Sequence, residues 1–381
     1  MKHYARTFEK ILHERLKKKP QFIQTILGPR QVGKTSGVLN VLEKNFNSKD
    51  YEYLSAEDDI FDADWFLTQV QKAAQNKKKI IVFDEIQKVE QWSELVKRAW
   101  DSQKRQKNLM HWVLLGSSSL KLSQGLNESL AGRFEIISVP HWSFKESKKF
   151  GLNLNQYIHQ GGYPASYSLI KEPARFKKYM LESIFETVVS LDIFRYITIK
   201  KPALFKQTFM LACQYPAQEI SYNKLLGQLQ DAGNVDQVKH YLDLFSQAFL
   251  MRQIFKFSKS PLSRVSSPKI ISCAPVFTSL FMRRELTPEE KGRVFESIVG
   301  NRLCESFDSV HYWREGHDEI DFVIEFENEI YAIEVKSQIK KIPKFKTFKA
   351  KYKQAKFCLI DFENYEEFDQ DPFAFITRYA I

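Results

Sequence analysis

Long apolar runs are missing from this chain. Nothing in its 381 residues approaches the ~18–20 uncharged apolar positions of a membrane helix, and the densest run, Ile80–Phe83, has the length of a buried strand. The opening stretch, MKHYARTFEKILHERLKKKP, is charged throughout and lacks the apolar centre of a secretory signal. Cysteine is scarce: Cys213, Cys273, Cys304 and Cys358 stand far apart, with no C-x-x-C pair for a zinc or redox centre. These absences predict no membrane partner and a reducing compartment, hence a cytoplasmic protein. Acidic residues are outnumbered, 46 against 57 Lys and Arg, which leaves a formal net charge of +11. Such an excess favours anionic partners, nucleic acid above all, because neutralised phosphates release counterions.

What is present is the material of buried cores: 43% hydrophobic residues against 27% charged, a globular composition, at a length that allows two or three domains. Up to about residue 150, short apolar runs alternate with amphipathic segments, the rhythm of a parallel α/β sheet. Strands are predicted at Phe22–Gly28, Tyr51–Ser55, Lys79–Glu85, His111–Ser118 and Phe134–Pro140. IIVF and VLL show little alternation, as central strands covered on both faces do. Between about 151 and 260 helical periodicity takes over. There SYNKLLGQLQDAGNVDQVKHYLDLFSQAFLMRQIFKF reads as helix, turn near Ala232–Asn234, helix and closing strand. That order resembles a winged helix with VDQVKHYLDLFSQ as its recognition element; a plain helical lid is the competing reading. After the Ser-, Pro- and Lys-rich stretch Ser258–Lys269, an α+β pattern follows. The expected domains are therefore 1–150, 151–260 and 261–381.

LGPRQVGKTS, Leu27 to Ser36, contains G-x-x-x-x-G-K-[ST] with every fixed position filled. Gly28 and Gly33 allow the turn that points successive N–H groups inward at phosphate oxygens, so Gly28, Pro29, Arg30, Gln31, Val32, Gly33, Lys34, Thr35 and Ser36 form the expected nucleotide loop. Lys34 reaches the β- and γ-phosphates, and the Thr35 hydroxyl ligates Mg²⁺. The run IIVFDEIQ ends in Asp84 and Glu85, a Walker B pattern in which Asp84 holds Mg²⁺ and Glu85 activates the attacking water. VLLGSSS offers Ser117 or Ser118 as a γ-phosphate sensor at the end of a strand between these two motifs. Arg133, on the loop before FEIISVP, is a candidate for stabilising transition-state charge in cis or from a neighbouring subunit, or else half of a structural salt bridge.

Taken in order, GPRQVGKT, FDEIQ, LLGSSS, SLAGRFE, HWSFKE, GGYPAS and YWREG…EIDFV…IEVK resemble the prokaryotic AAA-type ATPases whose P-loop domain precedes a C-terminal half of unknown function. The resemblance covers most of the chain. It implies an ATPase core, a helical and winged-helix middle and a nuclease-like end, and it supplies no physiological substrate.

In EIDFVIEFENEIYAIEVKSQ, Asp321 lies on one strand, ENE turns the chain, and Glu334 and Lys336 share a face of the next strand. A hairpin brings Asp321 opposite them. Two carboxylates close together repel unless a divalent cation binds, and a lysine beside them can orient water or stabilise the phosphate. Glu296, on an upstream helix, is a fourth candidate. Glu296, Asp321, Glu334 and Lys336 follow the order of the PD-(D/E)xK nuclease superfamily, and a second Mg²⁺ or Mn²⁺ is expected there; such folds also survive as binding modules. From Lys340 to Lys356 run eight lysines, interleaved with aromatics and free of acidic residues, which suits phosphate contact and base stacking, or else a solubility face.

The expected fold class is α/β: a P-loop NTPase parallel sheet, a helical or winged-helix middle and a C-terminal restriction-endonuclease-like domain. The expected function is Mg²⁺-dependent ATP hydrolysis by a DNA-associated protein. The alternative is a signalling or scaffold ATPase with a protein partner and an inactive tail; homo-oligomerisation is open. A small-molecule P-loop kinase would leave the C-terminal residues unemployed.

Overall fold

The computed structural model describes the chain apart from residues 1–3, 57–61, 117–124, 127–128, 192, 195–196, 231–232, 259–266, 283 and 338–344. It divides into two compact units, Met1–Pro140 and His141–Ile381.

The first unit is built on a five-stranded parallel sheet of β1 (Ile23–Leu27), β2 (Tyr51–Ser55), β3 (Ile80–Asp84), β4 (His111–Leu115) and β5 (Phe134–Ser138), in the order β2-β3-β4-β1-β5. Each of β1, β3 and β4 is buried at every position, while β2 and β5, at the edges, are only partly covered. Burial thus follows sheet position, which is why the central strands carry unbroken apolar runs. The helices α1 (Thr7–Leu16), α2 (Lys34–Asn45), α3 (Ala63–Gln75) and α4 (Trp92–Arg105) complete the unit. Trp100, Trp112, Phe66 and Phe83 are fully buried together. Because β4 lies between β1 and β3, the strand chosen for the sensor position runs between the two nucleotide motifs.

A 760 Å³ hollow at the N-terminal ends of β3 and β4 is rimmed by Lys17, Lys18, Lys19 and Lys77. The C-terminal ends of α1 and α3 meet there, and lysines at helix C-termini offset the negative end of the dipole.

In the second unit, α5 (Pro202–Ala212), β6 (Gln218–Glu219), α6 (Tyr222–Leu226), α7 (Val235–Gln247), β7 (Met251–Ile254) and β8 (Lys269–Ser272) follow one another, and the strands pair antiparallel in the order β6-β8-β7. α7 starts at a capping box: Asn234 accepts from the Gln237 amide at 2.8 Å. The long helix α8 (Pro288–Ser306) starts the same way, from Thr287 and Glu290, with Pro288 in its first turn. It packs on a four-stranded sheet of β9 (Val310–Glu315), β10 (Asp318–Phe326), β11 (Glu329–Lys336) and β12 (Lys356–Asp361), ordered β12-β11-β10-β9. β11 and β12 are parallel and the other pairs antiparallel. The hairpin between β10 and β11 turns on Glu327 and Asn328, both at positive φ, as a two-residue hairpin loop requires. Val294, Ile298, Phe322, Ile324, Ile333 and Ile360 form one core; Trp313, Ile320, Val323, Phe348 and Phe357 form another. Ile320 and Val323 join the same core although three apart, because the β10–β9 register shifts between them. Asp321 sits in that irregularity.

Among the described residues no helix is long and apolar enough to cross a membrane.

Candidate nucleotide site and C-terminal carboxylate cluster

The loop from Gly28 to Gly33 leaves the C-terminal end of β1 and enters α2. A Cβ on Gly28 would stand 2.1 Å from the Val139 carbonyl oxygen, so that position has room for glycine alone. Gly33 caps α2 with φ +88, a left-handed conformation that side chains oppose. Val32 is fully buried, Gln31 and Ser36 are exposed, and Lys34 is buried. The Lys34 ammonium donates to the carbonyls of Gly28 at 2.8 Å and Pro29 at 2.6 Å. It is held inside the turn, next to the N-terminal amides of α2.

The two motifs meet at one oxygen. Thr35 donates its hydroxyl to Asp84 Oδ2 at 2.7 Å, and Tyr53 on β2 donates to the same oxygen at 2.5 Å. Burial, then the Asp84 charge, holds the Tyr53 phenol far above its ordinary pKa, so it stays a donor. Asp84 Oδ1 accepts from the Glu85 amide at 2.9 Å. Glu85 has φ 56, a bend that turns it out of the strand direction, and its carboxylate accepts from the fully buried Gln87 amide. Arg6, before α1, donates to the Val32 carbonyl at 2.9 Å and so ties the chain's start to the loop. Sequence reasoning missed Arg6, Tyr53 and Gln87. Only Gln87, two residues beyond the Asp-Glu pair, carried a local signal.

Ser117 and Ser118 lie outside the described residues. Arg133 is bound to Asp101 of α4 by two hydrogen bonds of 2.9 Å, Nε to Oδ1 and Nη2 to Oδ2. It precedes Phe134, which pairs with Ile23 at the start of β1, whereas the loop leaves from the end of β1. The strand's length, roughly 17 Å at ~3.3 Å per residue, separates the two edges. A cis role for Arg133 is therefore corrected: in its own chain the side chain serves the salt bridge.

In the second unit the structure brings Glu296, Asp321, Glu334 and Lys336 together, and adds Lys269 of β8. This lysine is fully buried. Its ammonium lies 2.6 Å from Glu296 Oε1, 3.2 Å from the Asp321 carbonyl, 3.9 Å from Asp321 Oδ1 and 3.8 Å from Glu319 Oε1. Asp321 Oδ2 accepts from the Val335 amide at 2.8 Å. Lys336 donates to Glu334 Oε1, while the buried Glu334 Oε2 has no partner among the described residues. Burial, then the Asp321 charge, pushes Glu334 up to about 7; the same two causes raise Glu296 against the pull of Lys269.

The expected metal set does not assemble. Among the described residues no group of three or more His, Cys, Asp or Glu side chains is placed to hold a metal ion. The reason is local: the Glu296 carboxyl is turned onto Lys269, Asp321 onto a backbone amide, and Glu334 onto Lys336.

The lysine run also differs from its expected form. Phe345, Phe348 and Phe357 are buried in the core with Trp313, so they offer no face for base stacking. Lys351 is paired with Glu315, and Lys356 with Glu329 at 2.5 Å. Lys346, Lys349 and Lys353 are exposed; Lys340, Lys341 and Lys344 lie outside the described residues.

Residues 20–148 match the family described as an AAA domain; 151–274 and 291–375 match two families, each described as a domain of unknown function. An uncharacterized protein of Methanocaldococcus jannaschii is 26% identical over 372 residues, covering 90% of this chain and 80% of that protein. One of Haemophilus influenzae is 26% identical over 260 residues, 61% of this chain and 62% of its own length. Among solved structures, the Aeropyrum pernix ORC1 protein in complex with DNA overlays at TM-score 0.30, 12% identity, 73% of this chain and 93% of that one. A Thermotoga maritima RuvB variant gives TM-score 0.33, 14% identity, 66% and 90%. Overlays this loose carry no argument; the family match and the five-stranded parallel sheet agree without them. Residues 20–148 are thus similar to an AAA domain.

Proposed function

We propose that this chain binds ATP with Mg²⁺ in its N-terminal unit, hydrolyses it there, and works on a nucleic-acid partner, DNA foremost. One observation carries the ATP reading: Thr35 and Asp84 share a hydrogen bond of 2.7 Å beside a loop whose lysine rests on carbonyl oxygens. A hydroxyl and a carboxylate in contact suit the first and second shells of a hard cation, and the Gly28–Gly33 loop suits phosphate. In this reading Lys34 exchanges its two carbonyl acceptors for β- and γ-phosphate oxygens, and the amides opening α2 face the same charge. Bound Mg²⁺ would neutralise developing charge on the phosphates. Thr35 and Asp84 would hold that ion, and Tyr53 fixes the Asp84 carboxylate. Glu85, oriented by Gln87, takes the proton of the attacking water. Ser117 is the proposed γ-phosphate sensor. Arg133 enters only in trans, in an oligomer that opens its bond to Asp101.

For the partner, the run α5-β6-α6-α7-β7-β8 has the element order of a winged helix, with α7 as the recognition helix. The exposed positions of α7 include Asp236, Lys239, His240 and Gln247, a nearly neutral face. Phosphate binding then falls to the exposed lysines of 346–353, with the +11 net charge behind them. That neutral face is also the observation favouring the second reading, a switch whose partner is a protein. Residues 261–381 we read as a nuclease-like α/β fold whose cutting activity is no part of the function proposed. The test is ATP turnover by the full chain with Mg²⁺, with and without single- and double-stranded DNA. Stimulation by DNA supports the nucleic-acid reading; turnover indifferent to DNA favours the protein partner.

A further inference from the structure

The C-terminal cluster has the chemistry of a cation site and already contains a cation. Four oxygens from Glu296, Asp321 and Glu319 surround the Lys269 ammonium between 2.6 and 3.9 Å. The rings of Phe322 and Tyr312 lie 5.3 and 5.9 Å from it, adding aromatic faces to the enclosure. No part of this lysine meets solvent. An ammonium taken fully out of water is costly unless carboxylates surround it, and here they do. Beside it stands a second indicator of a ligand: Glu334, whose side chain is 8% exposed, has one buried oxygen with no partner among the described residues.

We propose that Lys269 is a resident cation occupying, in this carboxylate cluster, the place of a divalent metal, so that the native chain takes no metal there and removal of the ammonium uncovers a divalent-cation site. Charge balance makes the two alternatives exclusive. With Lys269 and Lys336 present, two positive charges face Glu296, Asp321 and Glu334, and a divalent ion added to them would stand against two ammonium groups. With Lys269 neutralised, Glu296 is freed to turn, Asp321 loses its nearest positive charge, and Glu334 has an oxygen to spare. Three carboxylates at one small site suit Mn²⁺ or Mg²⁺. Lys269 arrives on β8, from the sheet that holds β6 and β7, not from the sheet that carries Asp321 and Glu334. It is therefore supplied to the cluster from a separate element. The inference stands apart from the ATPase reading, because none of its residues belongs to the N-terminal unit.

The test is calorimetric titration of Mn²⁺ alone, without nucleotide, into the full chain, its Asp321→Asn variant, Lys269→Met and the double variant Lys269→Met/Asp321→Asn. The native chain and Asp321→Asn should give the same heats. Lys269→Met should bind Mn²⁺ about 10-fold or more tightly than the native chain, and the double variant should lose the gain. Native Mn²⁺ binding that Asp321→Asn abolishes overturns the proposal, as does a folded Lys269→Met chain that takes up no extra Mn²⁺. Should Lys269→Met lose its native circular dichroism, the native pair decides alone: Asp321-dependent binding refutes the resident cation, and its absence upholds it.

Discussion

Thr35 and Asp84, 49 residues apart in sequence, meet through a hydroxyl–carboxylate hydrogen bond of 2.7 Å at the C-terminal edge of the parallel sheet. The loop motif and the acidic strand end thereby become one site, and the sheet order explains how. One strand, β4, separates β1 from β3, so their ends open onto the same crevice. Tyr53 comes to that crevice from the edge strand β2 and locks the same oxygen.

Lys34→Ala should weaken binding of a non-hydrolysable ATP analogue by ~10–100-fold, the loss of a charge-assisted hydrogen bond worth about 1.5–3 kcal/mol. Calorimetry on the folded variant checks this. Unchanged affinity would move the nucleotide elsewhere.

Arg133→Ala removes a partly exposed bidentate pair with Asp101, so stability should fall by about 0.5–1 kcal/mol. If Arg133 acts in trans, ATP turnover should also fall steeply and depend on protein concentration. Loss of stability with turnover intact, read from denaturant melts beside kinetics, would leave it purely structural.

DNA affinity should fall with salt. Replacing Lys346, Lys349 and Lys353 by Gln should make the slope of log affinity against log salt shallower by ~0.9 for each duplex phosphate that is no longer neutralised. Lys351→Gln and Lys356→Gln should change it less, because Glu315 and Glu329 already hold those charges. Equal slopes in all variants would make the run a solubility face.

Glu334 sits at about 7 in the fold, above its ordinary 4.5. The folded chain then binds more protons than the unfolded one between those values, so the stability contributed by this group is full below pH 4.5 and is lost as pH rises through about 7. Glu334→Gln should flatten that decline. Denaturant midpoints of both chains from pH 5 to 8 check it; parallel curves would contradict the assignment.

Much of the N-terminal unit was legible in the sequence because its central strands are unbroken apolar runs and its loop glycines answer to steric need. Tyr51–Ser55 falls on its predicted positions, and the other strands differ by a few residues at their ends. The pairing of Glu334 with Lys336 follows from strand alternation alone. Arg6, Tyr53, Asp101 and Lys269 were not legible, since each acts on a partner brought near only by the tertiary fold. The lysine run misleads for another reason. Phe345, Phe348 and Tyr352 recur three and four apart, the spacing of a helix face turned inward, but the density of charge around them points outward.

The measurement that bears most directly on the central claim is steady-state ATP turnover by the native chain and by Glu85→Gln, with Mg²⁺, alongside ATP-analogue affinity for both. Turnover by the native chain, falling ~100-fold or more in Glu85→Gln while affinity is retained, is the predicted result. Equal turnover in the two chains, or none in either while both bind ATP, would contradict hydrolysis at this site.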